Sequence, residues 1–518
     1  SPHSNTRLYI AANKLFQSDD RGNTWKTISG DLTAQIDRNT WPVMGKYWSF
    51  DAVVKDVSTS LFNTIVSLEE SPVKEDLIYV GTDDGVIQVT ENAGESWTKI
   101  STFTGVPDYT YVSDILASKF DENVVFASFS NLKRDDFKPY LLKSTDKGKT
   151  WKMITNGLPV NGSVHTIEQD HINKNLLFAG TEFGVFFSID AGNNWIQLKS
   201  GIPTIAVYDM AVQQRENDLV LATFGRGFYI LDNYTPLREL SEQFTQKEAH
   251  IFPVKDALMY IQTSKKYGQG ATDYYGQNPE FGATFTYYLK DVPKTKKQIR
   301  QEKEKELFEK GSKIPQITWE EARLENLEVD PYLLFTVKDM NGNVVRRITT
   351  KASKGINRVN WDLRYHGETV MRLKDDKFDP FKKTRSGQLV IPAEYTVTLG
   401  KVVNEVYTEL TEPINFKVKP LENTTLPAPN RTEMIAFLVK VKELEKDVDG
   451  AKKITESLLK HTLKIKQAIL ETPELSYDVM QKAIDIEKEL NDIMFKFEGV
   501  QPKASFEEVP PAKFPIEE

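Results

Sequence analysis

The stretch that decides the fold is Ser18-Asp-Asp-Arg-Gly-Asn-Thr-Trp25, because the same eight-residue pattern occurs four times before residue 196. The pattern predicts a turn in which Gly adopts a positive φ and short polar side chains bond the backbone amides, while Trp packs between neighbouring sheets. We therefore predict a structural role, not a catalytic one, for the residues that define the four copies. These are Ser18, Asp20, Gly22 and Trp25; Asn92, Gly94 and Trp97; Asp146, Gly148 and Trp151; and Asp190, Gly192 and Trp195.

A short apolar strand recurs together with this motif. Its starts are 69, 47, 52 and 43 residues apart, and other strand-like segments lie between them. A unit of about 45 residues with several short strands is typical of a propeller blade. The longest spacing predicts an insertion near residues 31–60. The five strands start at Leu8, Leu77, Val124, Leu176 and Leu219.

The motif resembles Asp-boxes, also called BNR repeats, of sialidases, sortilin-type (Vps10) propellers and some xyloglucan-active glycosidases. The chain as a whole is similar to a bacterial family of secreted sortilin-like propeller proteins that are often labelled glycosyl hydrolases. Members of that family are about twice as long, with more blades upstream. The stretches that carry the resemblance are residues 81–86, 135–140, 179–185, 216–232, 281–289 and 355–365.

This resemblance implies where the protein acts and what completes it. It implies export to the periplasm, the outer membrane or the cell exterior of a bacterium, with a place in a larger exported or outer-membrane complex. Four motifs and five strand repeats are few for a closed propeller, and the strands of an open ring would be exposed edges. We therefore expect an N-terminal half of the same precursor, or a separate chain, to complete the ring.

The sequence divides into four segments. Propeller blades are predicted over residues 1–236, a β-sandwich over 237–425 with a charged helical insertion at 293–329, helices over 426–500 and a Pro-rich tail over 501–518. The predicted fold class is thus mainly β: a partial Asp-box β-propeller, then an immunoglobulin- or fibronectin-like β-sandwich and a C-terminal helical hairpin or bundle.

Composition excludes several function classes. The chain has 66 Lys and Arg, 74 Asp and Glu, six His, no Cys and a net charge of −8. It has no basic stripe for nucleic acid, no thiolate for zinc or nucleophilic catalysis, and no apolar run long enough for a membrane-spanning helix. The His residues show no metal-ligand spacing, so we predict neither a metal nor a cofactor.

Candidate site residues come from strands expected to line the propeller channel. Asp114 and Asp209 occupy equivalent positions in different blades and are the candidate catalytic carboxylates, although hydrogen bonding to backbone or water is the more favoured role. His165 and Tyr208 on the same set of strands, and Arg226 between two glycines, are the candidate ligand-binding residues. No arrangement of the sialidase kind, with its arginine triad, is recognisable.

Two functions remain open. The first is a secreted or cell-surface protein that binds proteins or peptides, or helps to assemble a complex, without catalysis. The second is a glycoside hydrolase of the xyloglucanase or sialidase kind with its active site at the propeller channel. The chain differs from sortilin itself, since without Cys it cannot contain the Cys-rich module that follows the sortilin propeller.

Overall fold

The computed structural model describes residues 1–49, 51–53, 62–241, 244, 246–262, 276–367, 378–382, 386–421 and 430–499. The chain divides into two compact units, Ser1–Thr245 and Gln246–Glu518. The predicted fold class is confirmed: the chain is mainly β, with a propeller-type array of antiparallel sheets in the first unit and a sandwich with C-terminal helices in the second. The predicted Pro-rich tail lies outside the described residues.

The described residues of the first unit form five antiparallel sheets, and neighbouring strands in each sheet are consecutive in the chain. Sheet 1 consists of β1 (Leu8–Ala11), β2 (Leu15–Ser18) and β3 (Lys26–Thr27). Sheet 2 consists of β4 (Ile65–Glu70), β5 (Ile78–Thr82), β6 (Ile87–Thr90) and β7 (Thr98–Ile100). Sheet 3 consists of β8 (Tyr111–Ala117), β9 (Val125–Asn131), β10 (Asp136–Ser144) and β11 (Lys152–Met153). Sheet 4 consists of β12 (Val164–Gln169), β13 (Leu177–Thr181), β14 (Gly184–Ser188) and β15 (Ile196–Leu198). Sheet 5 consists of β16 (Val207–Gln213), β17 (Asp218–Thr223) and β18 (Gly227–Leu231).

Successive sheets pack face to face through apolar clusters. Because side chains alternate along a strand, Ile78 and Val80 of β5 face sheet 1, where they pack with Leu15. Tyr79, between them, faces the other way and packs with Val125 of sheet 3. The same arrangement joins sheets 3 and 4, and sheets 4 and 5. The core of the first unit is therefore a series of layers between sheets, as in a propeller.

The four sequence motifs form near-identical turns after β2, β6, β10 and β14. In the third copy, Asp146 accepts hydrogen bonds from the backbone N–H and the hydroxyl of Thr150, and the Ser144 hydroxyl accepts one from Gly148 N. The residue before each motif Gly has a φ of 57 to 60°, and the Gly itself has a φ of 85 to 92°. Two consecutive left-handed residues explain why Gly occupies the second position.

The Trp of the first motif copy differs in burial from the Trp of the other three copies. Trp97, Trp151 and Trp195 each pack against the apolar cluster that involves the preceding sheet. Trp195 is 4 % exposed, whereas Trp25 is 43 % exposed. The expectation that every motif Trp is buried between sheets is therefore wrong for Trp25, because no described sheet precedes sheet 1.

The two outermost sheets of the array expose faces that are buried elsewhere. By strand register, Leu8 of sheet 1 is equivalent to Ile78 of sheet 2, and these residues are 45 % and 0 % exposed. Phe228 of sheet 5 is equivalent to Val185 of sheet 4, and these are 76 % and 0 % exposed. Each end of the described array thus presents an apolar sheet face.

The second unit contains a β-sandwich. One sheet is β19 (Ala249–Ile251), β21 (Ala283–Leu289) and β24 (Gly355–Trp361). The other runs in the order β20 (Ala257–Met259), β29 (Ile414–Pro420), β27 (Glu394–Val403), β22 (Tyr332–Asp339) and β23 (Val344–Lys351), with β28 (Val406–Glu409) also pairing with β27. A further pair is β25 (Arg364–His366) and β26 (Ser386–Leu389).

Aromatic residues from both sheets fill the sandwich core. Phe285, Phe335 and Trp361 are at most 1 % exposed and lie in one cluster. Tyr395 packs against Trp361 and donates its hydroxyl hydrogen to the carbonyl of Ile391, at 2.7 Å. A buried Tyr that bonds the backbone a few residues upstream is a feature of immunoglobulin-like sandwiches.

Four α-helices belong to the second unit, within the described residues. Between β21 and β22 lie α1 (Lys296–Glu309) and α2 (Trp319–Leu327), joined by a two-N–H fork from Arg300 to Glu325. The C-terminal hairpin consists of α3 (Arg431–Leu470) and α4 (Tyr477–Glu498). No helix among the described residues has the length and apolar character needed to cross a membrane.

Candidate functional site

The first strands of sheets 2 to 5 form the inner edge of the array. Consecutive members of the set β4, β8, β12 and β16 contact one another. Each carries a β-bulge at the same register position, and the bulged residues are Val66, Ser113, His165 and Tyr208. Because a bulge re-aims side chains locally, these four side chains depart from the regular alternation of their strands.

Asp114 and Asp209 each follow a bulge, and strand register makes them equivalent. Asp114 is partly buried, and its Oδ2 accepts hydrogen bonds from Thr166 Oγ1 at 2.9 Å and from Ile167 N at 3.0 Å. The carboxylate therefore joins β8 to β12. Asp209 is exposed and accepts a hydrogen bond from Met210 N, which follows it directly. One candidate is thus used in strand-to-strand bonding, whereas the other is accessible.

Burial raises the pKa of two channel carboxyls. Burial, and next the charge of Asp209, raise the pKa of Asp114 to about 7, although the hydrogen bonds from Ile167 and Thr166 oppose the change. Burial, followed by the charges of Asp114 and Glu168, raises the pKa of Glu69 to about 8. Glu69 was not predicted as a site residue, since nothing in the sequence reveals its desolvation.

The structure brings His165 and Tyr208 together. Their rings stack with centroids 4.3 Å apart and planes 19° apart. His165 is buried, and its Nε2 lies 2.7 Å from Oε2 of Glu182 in the turn between β13 and β14. The exposed ring of Phe224 lies 5.6 Å from that of Tyr208. These side chains form an aromatic and acidic cluster at the start of the inner strands.

Arg226 lies in the exposed turn between β17 and β18, two residues after Phe224. The structure shows no hydrogen bond or ion pair from Arg226 within the described residues. Arg226 and Tyr208 lie at the same end of sheet 5, but no hydrogen bond or ion pair joins them in the described part of the chain.

A pocket at the ends of sheets 2 and 3 where β4 and β8 begin was not predicted from the sequence. Its volume is about 420 Å³. The insertion between β3 and β4 contributes Trp41 and Phe62, so the long repeat spacing was the signal that could have found it. The residues that line it are Trp41, Phe62, Asp83, Tyr109, Tyr111, Ser130, Asn131, Lys133 and Arg134.

The stacked sheets and their adjacent inner strands define a protein of the β-propeller type. No protein-family model matches the chain, and no curated protein matches it. Among solved structures, it is similar to the GH74 xyloglucanase from Xanthomonas campestris, with 18 % identity over 49 % of this chain and 40 % of that one at a TM-score of 0.35.

Two other structural neighbours have lower identity. An ancestral GH74 enzyme shows 12 % identity over 79 % of this chain and 45 % of that one, with a TM-score of 0.33. The extracellular domain of a hybrid two-component system from B. thetaiotaomicron shows 10 % identity over 80 % and 43 %, with a TM-score of 0.31. The chain spans less than half the length of each of these three proteins.

Proposed function

We propose that the chain is part of an exported or cell-surface, sortilin-like β-propeller protein that binds a protein or peptide without catalysis. The observation that supports this most is the use of Asp114. A glycosidase needs two carboxyl groups that are free to face the scissile bond. Asp114 instead bonds the neighbouring inner strand through one oxygen, as a structural carboxylate does.

The cluster of His165, Tyr208 and Glu182 supports a binding role. Tyr208 is half exposed, and its ring is fixed by stacking on the buried His165, which in turn meets Glu182. An aromatic ring held in one orientation binds with little loss of side-chain entropy. The cluster therefore has the character of an anchor for a peptide side chain at the mouth of the channel.

We also propose that further blades pack on both ends of the described array and complete the ring, from an N-terminal half of the same precursor or from a separate chain. The exposed faces at Leu8 and Phe228 support this, because their equivalents one sheet inward are fully buried. Asp209 supports it as well, since its equivalent Asp114 bonds the following inner strand. A place in a larger exported or outer-membrane complex remains part of the same proposal.

A peptide-display selection on the immobilised full chain tests the binding function. We expect enriched peptides whose affinity falls about tenfold or more in Tyr208→Ala, because the anchoring ring is lost. Tyr477→Ala is the matched control, since Tyr477 is an exposed tyrosine on α4. Failure to enrich any peptide, or equal loss in the control, would contradict the proposal.

Glycoside hydrolysis is the second candidate, and the raised pKa of Glu69 favours it. A carboxyl with a pKa of about 8 holds a proton at neutral pH, as a general acid must. Asp114, whose charge acts on Glu69, would supply the second carboxyl group. Release of reducing sugar from xyloglucan or sialic acid from a sialylated glycan, abolished by Glu69→Gln and by Asp114→Asn, would establish this function in place of the first.

A further inference from the structure

We propose that the pocket lined by Trp41 and Tyr109 is a carbohydrate-binding site that takes one or two pyranose units of a glycan. It is separate from the His165 and Tyr208 cluster, and the inference goes beyond the proposed function and does not depend on it. The pocket is about 420 Å³, within the range of sites for small ligands. It has an aromatic wall, a polar floor and a cationic rim, and each part limits the chemical class of ligand that can bind.

The aromatic wall consists of three rings. Trp41 lies 5.5 Å from Phe62 and 5.6 Å from Tyr109, measured between centroids, and both neighbours are inclined to it by about 60°. Inclined neighbours hold the indole in place without covering it by stacking, and Trp41 and Tyr109 stay exposed. The electron-rich face of such a ring attracts the C–H groups on one face of a pyranose.

Tyr109 is held in a strained backbone conformation. Its φ is 59°, in the left-handed region, which for a bulky residue costs about 1–2 kcal/mol. The turn between β5 and β6 packs closely against it: a Cβ on Gly85 would lie 2.8 Å from Tyr109 Cα. Strain of this kind persists where the surroundings fix a residue, so the position of the Tyr109 ring is set by the backbone packed around it.

The floor is polar, and this excludes an apolar side chain as the natural occupant. Asp83, Tyr111 and Ser130 line the pocket and are partly buried. The hydroxyls of Tyr111 and Ser130 have no hydrogen-bond partner within the part of the chain that the structure describes. An apolar group placed over them would leave them unsatisfied, at a cost of about 1–3 kcal/mol for each group. A sugar hydroxyl both donates and accepts, and so suits this floor.

The two cations of the rim oppose the entry of a cationic ligand, although the floor contains the carboxyl group of Asp83. Lys133 Nζ lies 5.5 Å from the centroid of the Tyr111 ring, and Arg134 donates a hydrogen bond to the carbonyl of Asp108. Two positive charges at the entrance repel an ammonium group, although aromatic rings would otherwise attract one. A neutral sugar with hydrogen-bond acceptors satisfies all three parts of the pocket, and a sugar that carries a carboxylate does so when that carboxylate faces the rim and not Asp83 of the floor.

Affinity electrophoresis of the full chain in gels that contain a polysaccharide tests the site. The neutral probes are hydroxyethylcellulose, laminarin and xyloglucan, and the acidic probes are polygalacturonate and alginate. We expect retardation by at least one probe, with an apparent Kd raised about tenfold by Trp41→Ala and by Tyr109→Gly. Tyr109→Gly removes the ring at a φ that Gly adopts freely, so the fold should be retained.

Trp319→Ala is the matched control, because Trp319 is the exposed first residue of α2 and belongs to the other unit. Retardation by neutral probes alone, or by acidic probes alone, supports the proposal and shows whether the cationic rim binds a sugar carboxylate. The proposal is overturned if no probe retards the protein, or if folded Trp41→Ala and Tyr109→Gly bind as the parent does. Peptides selected on the chain that lose affinity in Trp41→Ala, with no sugar bound, would also overturn it.

Discussion

At the residue scale, the inner-strand carboxyls show what sequence can and cannot reveal. The sequence indicated that Asp114 and Asp209 are equivalent, because the strand repeats align, and the strand register agrees. It could not indicate that Asp114 bonds Thr166 and Ile167 whereas Asp209 is exposed, because that depends on which sheet follows. The stack of His165 on Tyr208 likewise depends on two bulges meeting across sheets.

The raised pKa values of Glu69 and Asp114 predict how stability changes with pH. Both folded-state pKa values lie above the unfolded value near 4, so the stabilisation is full below that pH and is lost as the pH rises through about 7 to 8. We expect the first unit to lose about 1 kcal/mol or more of unfolding free energy between pH 5 and pH 8.5. Urea unfolding at the two pH values measures this.

The double variant Glu69→Gln with Asp114→Asn provides the comparison. An Asn oxygen can accept the two hydrogen bonds from Thr166 and Ile167, so the variant should remain folded with a flatter pH profile. Glu412→Gln, an exposed carboxyl in the second unit, should leave the profile unchanged. A double variant as pH-sensitive as the parent would show that these carboxyls do not control the effect.

At the element scale, the turn motif was the most predictable feature of the molecule. The pattern alone predicted turns and polar side chains that bond the turn amides, since Gly, Asp and Ser do this locally. In the second copy Asn replaces Asp and keeps the same hydrogen bond. Asn92 accepts it from Ser96 N, just as Asp146 accepts it from Thr150 N. The hydrogen bonds within a turn can be predicted from the sequence. The burial of each Trp cannot, because it depends on whether a neighbouring sheet packs against it.

The motif glycine is predicted to matter for packing between sheets as well as for φ. A Cβ on Gly94 would lie 2.2 Å from the carbonyl oxygen of Ile28 in the connection that follows sheet 1. Gly201 also has a positive φ, of 80°, but has no atom within 4 Å of the same position. We expect Gly201→Ala to cost about 1 kcal/mol and Gly94→Ala about 2–4 kcal/mol in unfolding free energy. Equal costs in thermal unfolding would indicate that strain in φ is the whole effect.

At the scale of the whole molecule, repeat spacing predicted the propeller-type sheets and residue alternation predicted the sandwich, because periodicity and turn residues are visible in one sequence. The pocket with Trp41 was not predicted, since its rings come from an insertion and from the connection before β8, 68 residues apart in the sequence. Contacts between distant segments depend on how sheets stack, and a single sequence does not state this.

The apolar end faces predict a contrast between equivalent residues. Phe228→Ser with Ile230→Ser changes two exposed side chains of sheet 5, so we expect little loss of thermal stability and less self-association of the isolated chain. Val185→Ser, at the buried equivalent of Phe228, should cost about 2–4 kcal/mol. Sedimentation velocity and thermal unfolding measure both. If the double substitution unfolds the chain as Val185→Ser does, the end face is already covered.

The strand order within the sheets also bears on how the molecule reaches its fold. Every sheet of the first unit pairs strands that are consecutive in the chain, so each pairing closes a short loop and costs little chain entropy. Short loops give a low contact order, which favours rapid formation of each sheet as a local event. During synthesis the sheets can therefore form one after another, each packing on the sheet that formed before it. This order shortens the time for which apolar strands are exposed to solvent.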